Sequence, residues 1–164
     1  MVKLKRLFFF LSTLLFSITL WGEENLLING EVNELVSFAL LEISKPESER
    51  NTKVAIEAFE AAAIKGSAIA MHSLGLIYAE GVGVKKDREK AFSFYSESAK
   101  SLFPPSQNDL ANLYMDGYPD SARTFYNYRK AAKLYENAAN SGYKYAQFNL
   151  GNAYRTGKGK AKDL

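Results

Sequence analysis

Cysteine is absent from this chain of 164 residues. No disulfide can brace the fold, and thiolate chemistry and cysteine-ligated zinc are excluded. Histidine occurs once, at His72. One imidazole without cysteine partners makes no metal site. Its neighbour Ser73 does not face it on a helix, so the pair is no catalytic couple. No metal, cofactor or catalytic residue is therefore expected. An excess of one charge is also missing from the body of the chain. The formal net charge is +3, but Lys3, Lys5 and Arg6 supply all of it. From Glu23 onward, acidic and basic side chains balance. A balanced chain has no sequence-wide field to steer nucleic acid or an anionic membrane, so neither is expected as a partner.

Long hydrophobic runs are missing except at the start. Leu7 to Trp21 is too short for a membrane-spanning helix and is diluted by Ser12, Thr13, Ser17 and Thr19. With the basic residues before it and Gly22 after it, the segment reads as a signal peptide over residues 1–22. An uncleaved anchor is the alternative. The expectation is an exported protein, periplasmic or secreted if bacterial and ER-luminal or secreted if eukaryotic. No integral span is expected in the mature chain.

What the chain does have is repetition. Ala70, Leu74, Gly75, Tyr78 and Gly81 recur 76 residues later as Ala146, Leu150, Gly151, Tyr154 and Gly157. A copy between them carries Ser106, Leu110, Ala111, Tyr114 and Gly117. A second element, Ala55-x3-Phe59-x2-Ala62-Ala63, recurs around Tyr95 and again around Tyr135. Residues four apart share a helix face, so each element reads as an amphipathic helix. Mid-helix glycine costs up to about 1 kcal/mol against alanine. Its recurrence at Gly75 and Gly151 therefore points to close packing. The four extra residues of the middle copy are assigned to the loop between Gly117 and Ala131. A worn copy is expected at 31–44, where Val32, Leu35, Val36, Ala39, Leu40 and Ile43 form a stripe.

The ordered set Ala70, Leu74, Gly75, Tyr78, Gly81, Gly83, Val84, Asp87, Lys90, Ala91, Tyr95 and Ala99 resembles the Sel-one-like repeat, a relative of the tetratricopeptide repeat. The resemblance covers residues 52–163, with a degenerate extension to 31. It implies an all-α, right-handed solenoid of stacked antiparallel helix pairs, about three and a half repeats long. Those repeats are placed at 31–66 (degenerate), 67–102, 103–142 and 143–164, within one domain at 23–164. The last copy stops at Lys162-Asp163, where its second helix should begin. Helix 143–156 is then a terminal cap or part of a longer array, and the apolar Phe148 and Ala153 favour the array.

The family resemblance implies an adaptor or scaffold that binds a protein or peptide in the groove lined by the first helix of each pair. Candidate groove residues are His72, Leu76, Asn108, Asn112, Phe148, Asn152 and Arg155. Asn112 and Asn152 share one register and could hydrogen-bond an extended peptide. The aromatics Tyr118, Phe125, Tyr126 and Tyr128 are read as a loop that either anchors a partner or folds back. Self-association through exposed repeat ends is a further expectation. Ser141-x-x-Lys144 matches a motif of penicillin-recognising enzymes but lacks that motif's partners. A hydrolase acting on cell wall or β-lactam is thus the weaker alternative, beside a non-binding piece of a longer array.

Overall fold

The computed structural model describes residues 30–119 and 124–159, with backbone only at 124–126. The expected signal peptide at 1–22 and the Lys162-Asp163 end lie outside the described residues. Among the described residues all regular structure is helical. The helices are α1 (30–44), α2 (Thr52–Ile64), α3 (Ala68–Glu80), α4 (Arg88–Lys100), α5 (Pro104–Met115), α6 (Thr124–Asn140) and α7 (Lys144–Arg155). From α2 to α7, each helix packs against its neighbours in the chain, and α5 also touches α7. Helix α1 joins through Val36 and Ala39, which sit in one core cluster with Phe59, Ala62 and Leu74. The chain is a solenoid of stacked antiparallel helix pairs, and α7 is the last first helix among the described residues.

Local chemistry sets the helix starts. Asn51, Ser67 and Asp87 each accept a hydrogen bond from the backbone N–H three residues on, satisfying a donor with no partner inside the helix. Pro104 opens α5, where a missing N–H costs nothing. Helix α3 is apolar nearly all round, as befits a helix packed between α2 and α4.

Small residues fix how closely the helices approach. Ala55, Ala62, Ala70, Ala91, Ala111, Ala131, Ala138 and Ala146 have no exposed surface. Between them stand Phe59, Leu74, Tyr95 and Tyr135. At Gly75 the fit leaves no room: a Cβ there would lie 2.5 Å from ring carbons of Tyr95. Gly151 occupies the same register, yet a Cβ there would meet nothing within 4 Å. The close-packing reading therefore holds at Gly75 and fails at Gly151. No helix equivalent to α4 brings a ring against α7 among the described residues.

Register also exposes a coordinated change. Ala62 of α2 and Ala70 of α3 lie in one core cluster, as do Ala138 of α6 and Ala146 of α7. The equivalent pair between α4 and α5 is Ser98 and Ser106, both fully buried. The Ser106 hydroxyl donates to Ser98 Oγ at 2.6 Å, and Ser98 donates to the Ala68 carbonyl at 2.7 Å. Both hydroxyls are thereby satisfied.

Four details differ from the sequence expectation. The extra residues of the middle copy do not enlarge the loop; they lengthen α6 at its N-terminus to 17 residues, against 13 in α4. Leu40, counted in the buried stripe of α1, is 47% exposed. Glu42 is buried in its place, accepting from the Asn51 N–H and from Lys45, whose ammonium holds its carboxyl below the usual range. Ala153 is 1% exposed and faces inward, so it adds nothing to an apolar outer surface. One position was not anticipated at all. Leu102 adopts φ 57°, where the equivalent turns hold Gly66 at 89° and Gly142 at 83°. That conformation costs a side-chain-bearing residue roughly 1–2 kcal/mol, and nothing in the packing offsets it, since Leu102 is 68% exposed.

The two mid-helix glycines should respond oppositely to one substitution. Gly75→Ala pushes into a buried ring and should destabilise by about 1–3 kcal/mol. Gly151→Ala gains helix propensity in open space and should stabilise by up to about 1 kcal/mol. Urea unfolding of both variants checks the sign of each.

Candidate functional site

Helices α1, α3, α5 and α7 form one row. In α3, Ala70, Leu74 and Ile77 are buried with the α2 side chains of the first core cluster, and Gly75 meets Tyr95 of α4. On a 3.6-residue helix that leaves Ile69, His72, Ser73 and Leu76 on the remaining face. The same registers carry Pro105, Asn108, Asp109 and Asn112 in α5, and Tyr145, Phe148, Asn149 and Asn152 in α7.

A hydrogen-bonded seam runs along this row. His72 Nε2 lies 2.9 Å from Asp109 Oδ2. The other Asp109 oxygen accepts from Asn108 Nδ2 at 3.0 Å and, at the outer limit, from Asn112 Nδ2 at 3.5 Å. Asn149 Nδ2 donates to Asn108 Oδ1 at 2.9 Å and reaches Asn112 Oδ1 at 3.4 Å. The Tyr135 hydroxyl closes the seam from α6, donating to Asn112 Oδ1 at 2.6 Å. The same diagonal link occurs twice: His72 to Asp109, then Asn108 to Asn149. Each joins a first helix to the next one in the row.

Aromatic rings wall this seam. The His72 ring is flanked by Tyr95 and Phe103, with centroids 5.6 and 5.5 Å away. Burial pushes the phenols of Tyr95 and Tyr135 far above their ordinary range, and nearby carboxylates add to the effect. For Tyr95 these are Asp109 and Glu80; for Tyr135 they are Asp116 and Asp109.

Each candidate residue now has a place. Asn108 is 5% exposed and its amide is committed within the seam, leaving little surface to offer a peptide. His72 and Asn112 are tied into the same seam. Asn152, in register with Asn112, accepts a 3.4 Å bond from the Arg155 guanidinium. Phe148 is 70% exposed. The aromatic group does not form one loop. Tyr118 folds back on α4, against Phe92 and under the Arg88 guanidinium. Positions 125, 126 and 128 belong to α6, and Lys158 sits over the Tyr128 ring. The side chains of Phe125 and Tyr126 lie outside the described residues. Sequence reading missed Asp109, Asn149 and Tyr135. The first two share a register with Ser73, and that alignment was the signal available.

The row also bears exposed apolar side chains. Leu40 (47%) and Leu76 (41%) share the register of Asn112 and Asn152, and Ile69 lies on the same face. Among the described residues no cluster of three or more His, Asp or Glu is placed to hold a metal ion. No described helix is long and apolar enough to cross a membrane. The Ser141 hydroxyl donates to the Asn137 carbonyl at 3.2 Å, the bond of a helix-ending turn rather than of a nucleophile.

Residues 68–101, 104–143 and 144–164 match the family model for the Sel1 repeat. The chain belongs to the Sel1-repeat family. A Sel1 repeat protein from Oxalobacter formigenes has a solved structure that aligns with a TM-score of 0.70 at 26% identity, over 80% of this chain and 51% of that one. Among curated proteins, the chain is 39% identical over 101 residues to the ERAD-associated E3 ubiquitin-protein ligase component HRD3B of Arabidopsis thaliana. It is 34% identical over 116 residues to an exopolysaccharide production negative regulator of Rhizobium leguminosarum bv. viciae. It is 36% identical over 115 residues to chitin synthase regulatory factor 2 of Schizosaccharomyces pombe. These matches take in 61%, 64% and 66% of this chain but only 15%, 43% and 22% of the relatives.

The seam makes two outcomes expected. Asp109→Ala strands partly buried donors on His72 and Asn108 and should cost about 1–3 kcal/mol, whereas Asn152→Ala at the rim should stay within about 0.5 kcal/mol. Denaturant midpoints separate them. Alkaline stability follows from the phenols. Raised pKa values mean that the folded state holds its protons after the unfolded state has lost them. The phenols' contribution to stability should therefore be level below about pH 10 and fall as pH rises above it. Tyr135→Phe should shallow that decline in a pH series of unfolding curves.

Proposed function

We propose that this chain is an exported interaction module that holds a protein or peptide along the exposed face of its first-helix row. The observation that carries this reading is the in-register exposure of Leu40 and Leu76, with Ile69 beside them, on helices α1 and α3, whose buried faces share one core cluster. Single exposed leucines are ordinary. Leucines repeated at one register of successive repeats form a patterned strip. The seam satisfies itself, so the strip supplies the contact, held by the core that α1 and α3 share. The fitting partner is a segment with apolar side chains spaced to meet α1 and α3.

The relatives' names support an adaptor role, since they describe a ligase component and two regulators. Export rests on the basic and apolar character of residues 1–22. The hydrolase alternative loses support, because Ser141 sits in a turn and the His72 ring is occupied by Asp109 and two aromatic walls.

A photo-crosslinker placed at Leu76 should capture a partner that one placed at Lys53, exposed on α2, does not. Leu40→Asp/Leu76→Asp should weaken that capture by about tenfold or more while helicity is retained. Equal capture by the native and double-variant chains would rule out this face.

A further inference from the structure

The turns that lead from each second helix into the next first helix lie on one edge of the solenoid, because the stacked pairs are antiparallel. These are the α2–α3, α4–α5 and α6–α7 turns, in register at residues 64–69, 100–105 and 140–145. Each carries one lysine, Lys65, Lys100 or Lys144, and none carries an acidic residue. All three lysines are exposed. Each turn also holds out a large apolar side chain: Ile64 is 88% exposed, Leu102 68% and Tyr145 70%. The Tyr145 ring stands against that of Tyr143, with centroids 5.5 Å apart. The turns of the opposite edge differ. Among the described residues at 45–51, 81–87 and 116–119, no large apolar side chain is exposed in this way, and Glu47, Glu49, Asp87 and Asp116 are spread among them.

Leu102 adds a second observation. Gly66 and Gly142 adopt the left-handed turn freely, whereas Leu102 adopts it against its own Cβ. Strain kept at an exposed position is characteristic of places where the side chain has a task. The charge balance of the whole chain does not extend to this edge, where lysines stand in turns without carboxylates. Lys65 and Lys100 do pair with Glu31 of α1 and Glu97 of α4, at 2.7 and 2.5 Å. Exposed pairs of this kind hold weakly, so the ammonium groups can exchange to other anions. The apolar tips belong to three successive turns, and no single pocket could receive them all. Tips of this kind between cationic heads fit a surface that is anionic outside and hydrocarbon just beneath.

We infer that this edge rests on the surface of an anionic lipid bilayer. Ile64 and Leu102 enter the boundary between headgroups and acyl chains, and Tyr143 and Tyr145 sit at headgroup level. Lys65, Lys100 and Lys144 meet the lipid phosphates, an attraction that weakens as salt screens it. The contact is interfacial, since no described helix is long and apolar enough to cross a membrane. The turns are separate from the face that carries Leu40 and Leu76, so a bilayer and a protein partner can be held at once.

The absence of cysteine allows a single reporter to be placed at will. Full-length chains carrying Ser101→Cys, beside Leu102, or Lys85→Cys, on the opposite edge, are labelled with a polarity-sensitive fluorophore. Each is titrated with vesicles of phosphatidylglycerol and phosphatidylcholine, and with vesicles of phosphatidylcholine alone. The reporter at 101 should shift to the blue with the anionic vesicles, the reporter at 85 should not, and the shift should fade with added salt. Adding Leu102→Gly to the 101-labelled chain should weaken binding by about threefold or more while leaving urea stability equal or higher, because the left-handed turn suits glycine. Lys100→Ser/Lys144→Ser should weaken it by about tenfold or more. Both labelled forms share residues 1–29, so binding through that segment alone would move neither reporter or both alike, and either result overturns the inference. Equal binding to the neutral vesicles, or undiminished binding by Leu102→Gly, overturns it too.

Discussion

The contact between the Tyr95 ring and the bare backbone at Gly75 governs how the rest of the stack is assembled. A ring resting where a Cβ would otherwise stand fixes the spacing and rotation of α3 against α4. Protein interiors are too dense to absorb a shift there without disturbing the next layer. Ala111 and Tyr135 share one core cluster in the following pair. The fully buried alanines carry the same spacing through the second-helix contacts, so each repeat inherits its position from the one before. The four-residue insertion of the middle copy is consistent with this constraint. It lengthens α6 at its N-terminus, ahead of Tyr135, and leaves the packed segment in register.

Polar groups are admitted into this stack only where their partners come with them. Ser98 and Ser106 replace an alanine pair together, and each hydroxyl has a partner. The seam from His72 to Asn149 follows the same rule. A buried amide or imidazole without a partner would cost more than the bonds return. Satisfied as they are, these residues order the first-helix row without being available to a ligand. The apolar side chains beside them stay exposed, and on the proposed reading binding falls to these. Leu102 keeps its left-handed turn between α4 and α5 at an exposed position, and a Cβ at Gly151 would meet nothing within 4 Å among the described residues.

Much of this architecture was legible in the chain. The recurrence of Ala70, Leu74, Gly75 and Tyr78 located the first helices, and the Ala-aromatic-Ala pattern located the second. The places of Asp109 and Asn149 in the seam were partly legible, since both share a register with Ser73. The groove asparagines were chosen by register alone, which cannot show that Asn108 is enclosed or that Tyr135 reaches across from another helix to Asn112. The aromatic residues from Tyr118 to Tyr128 looked like one feature because they are close in sequence. The start of α6 separates them, sending Tyr118 to α4 and placing Tyr128 under Lys158.

By itself, the sequence determined the helical class, the repeat period and the helix pairing. These follow from periodicity and from where side chains are small, which are local properties read along one strand of chain. Tertiary structure alone decided which equivalent positions are filled and which stay open. Gly75 and Gly151 each follow a leucine and precede a tyrosine by three residues, yet one lies under a ring and the other has nothing within 4 Å of where a Cβ would stand. His72, Asn108 and Phe148 share a register, yet two bond forward and the third is exposed. The reason is physical: a residue's burial and bonding depend on what the adjoining repeat brings against it, and that is set by stacking rather than by the residue's own surroundings in the chain.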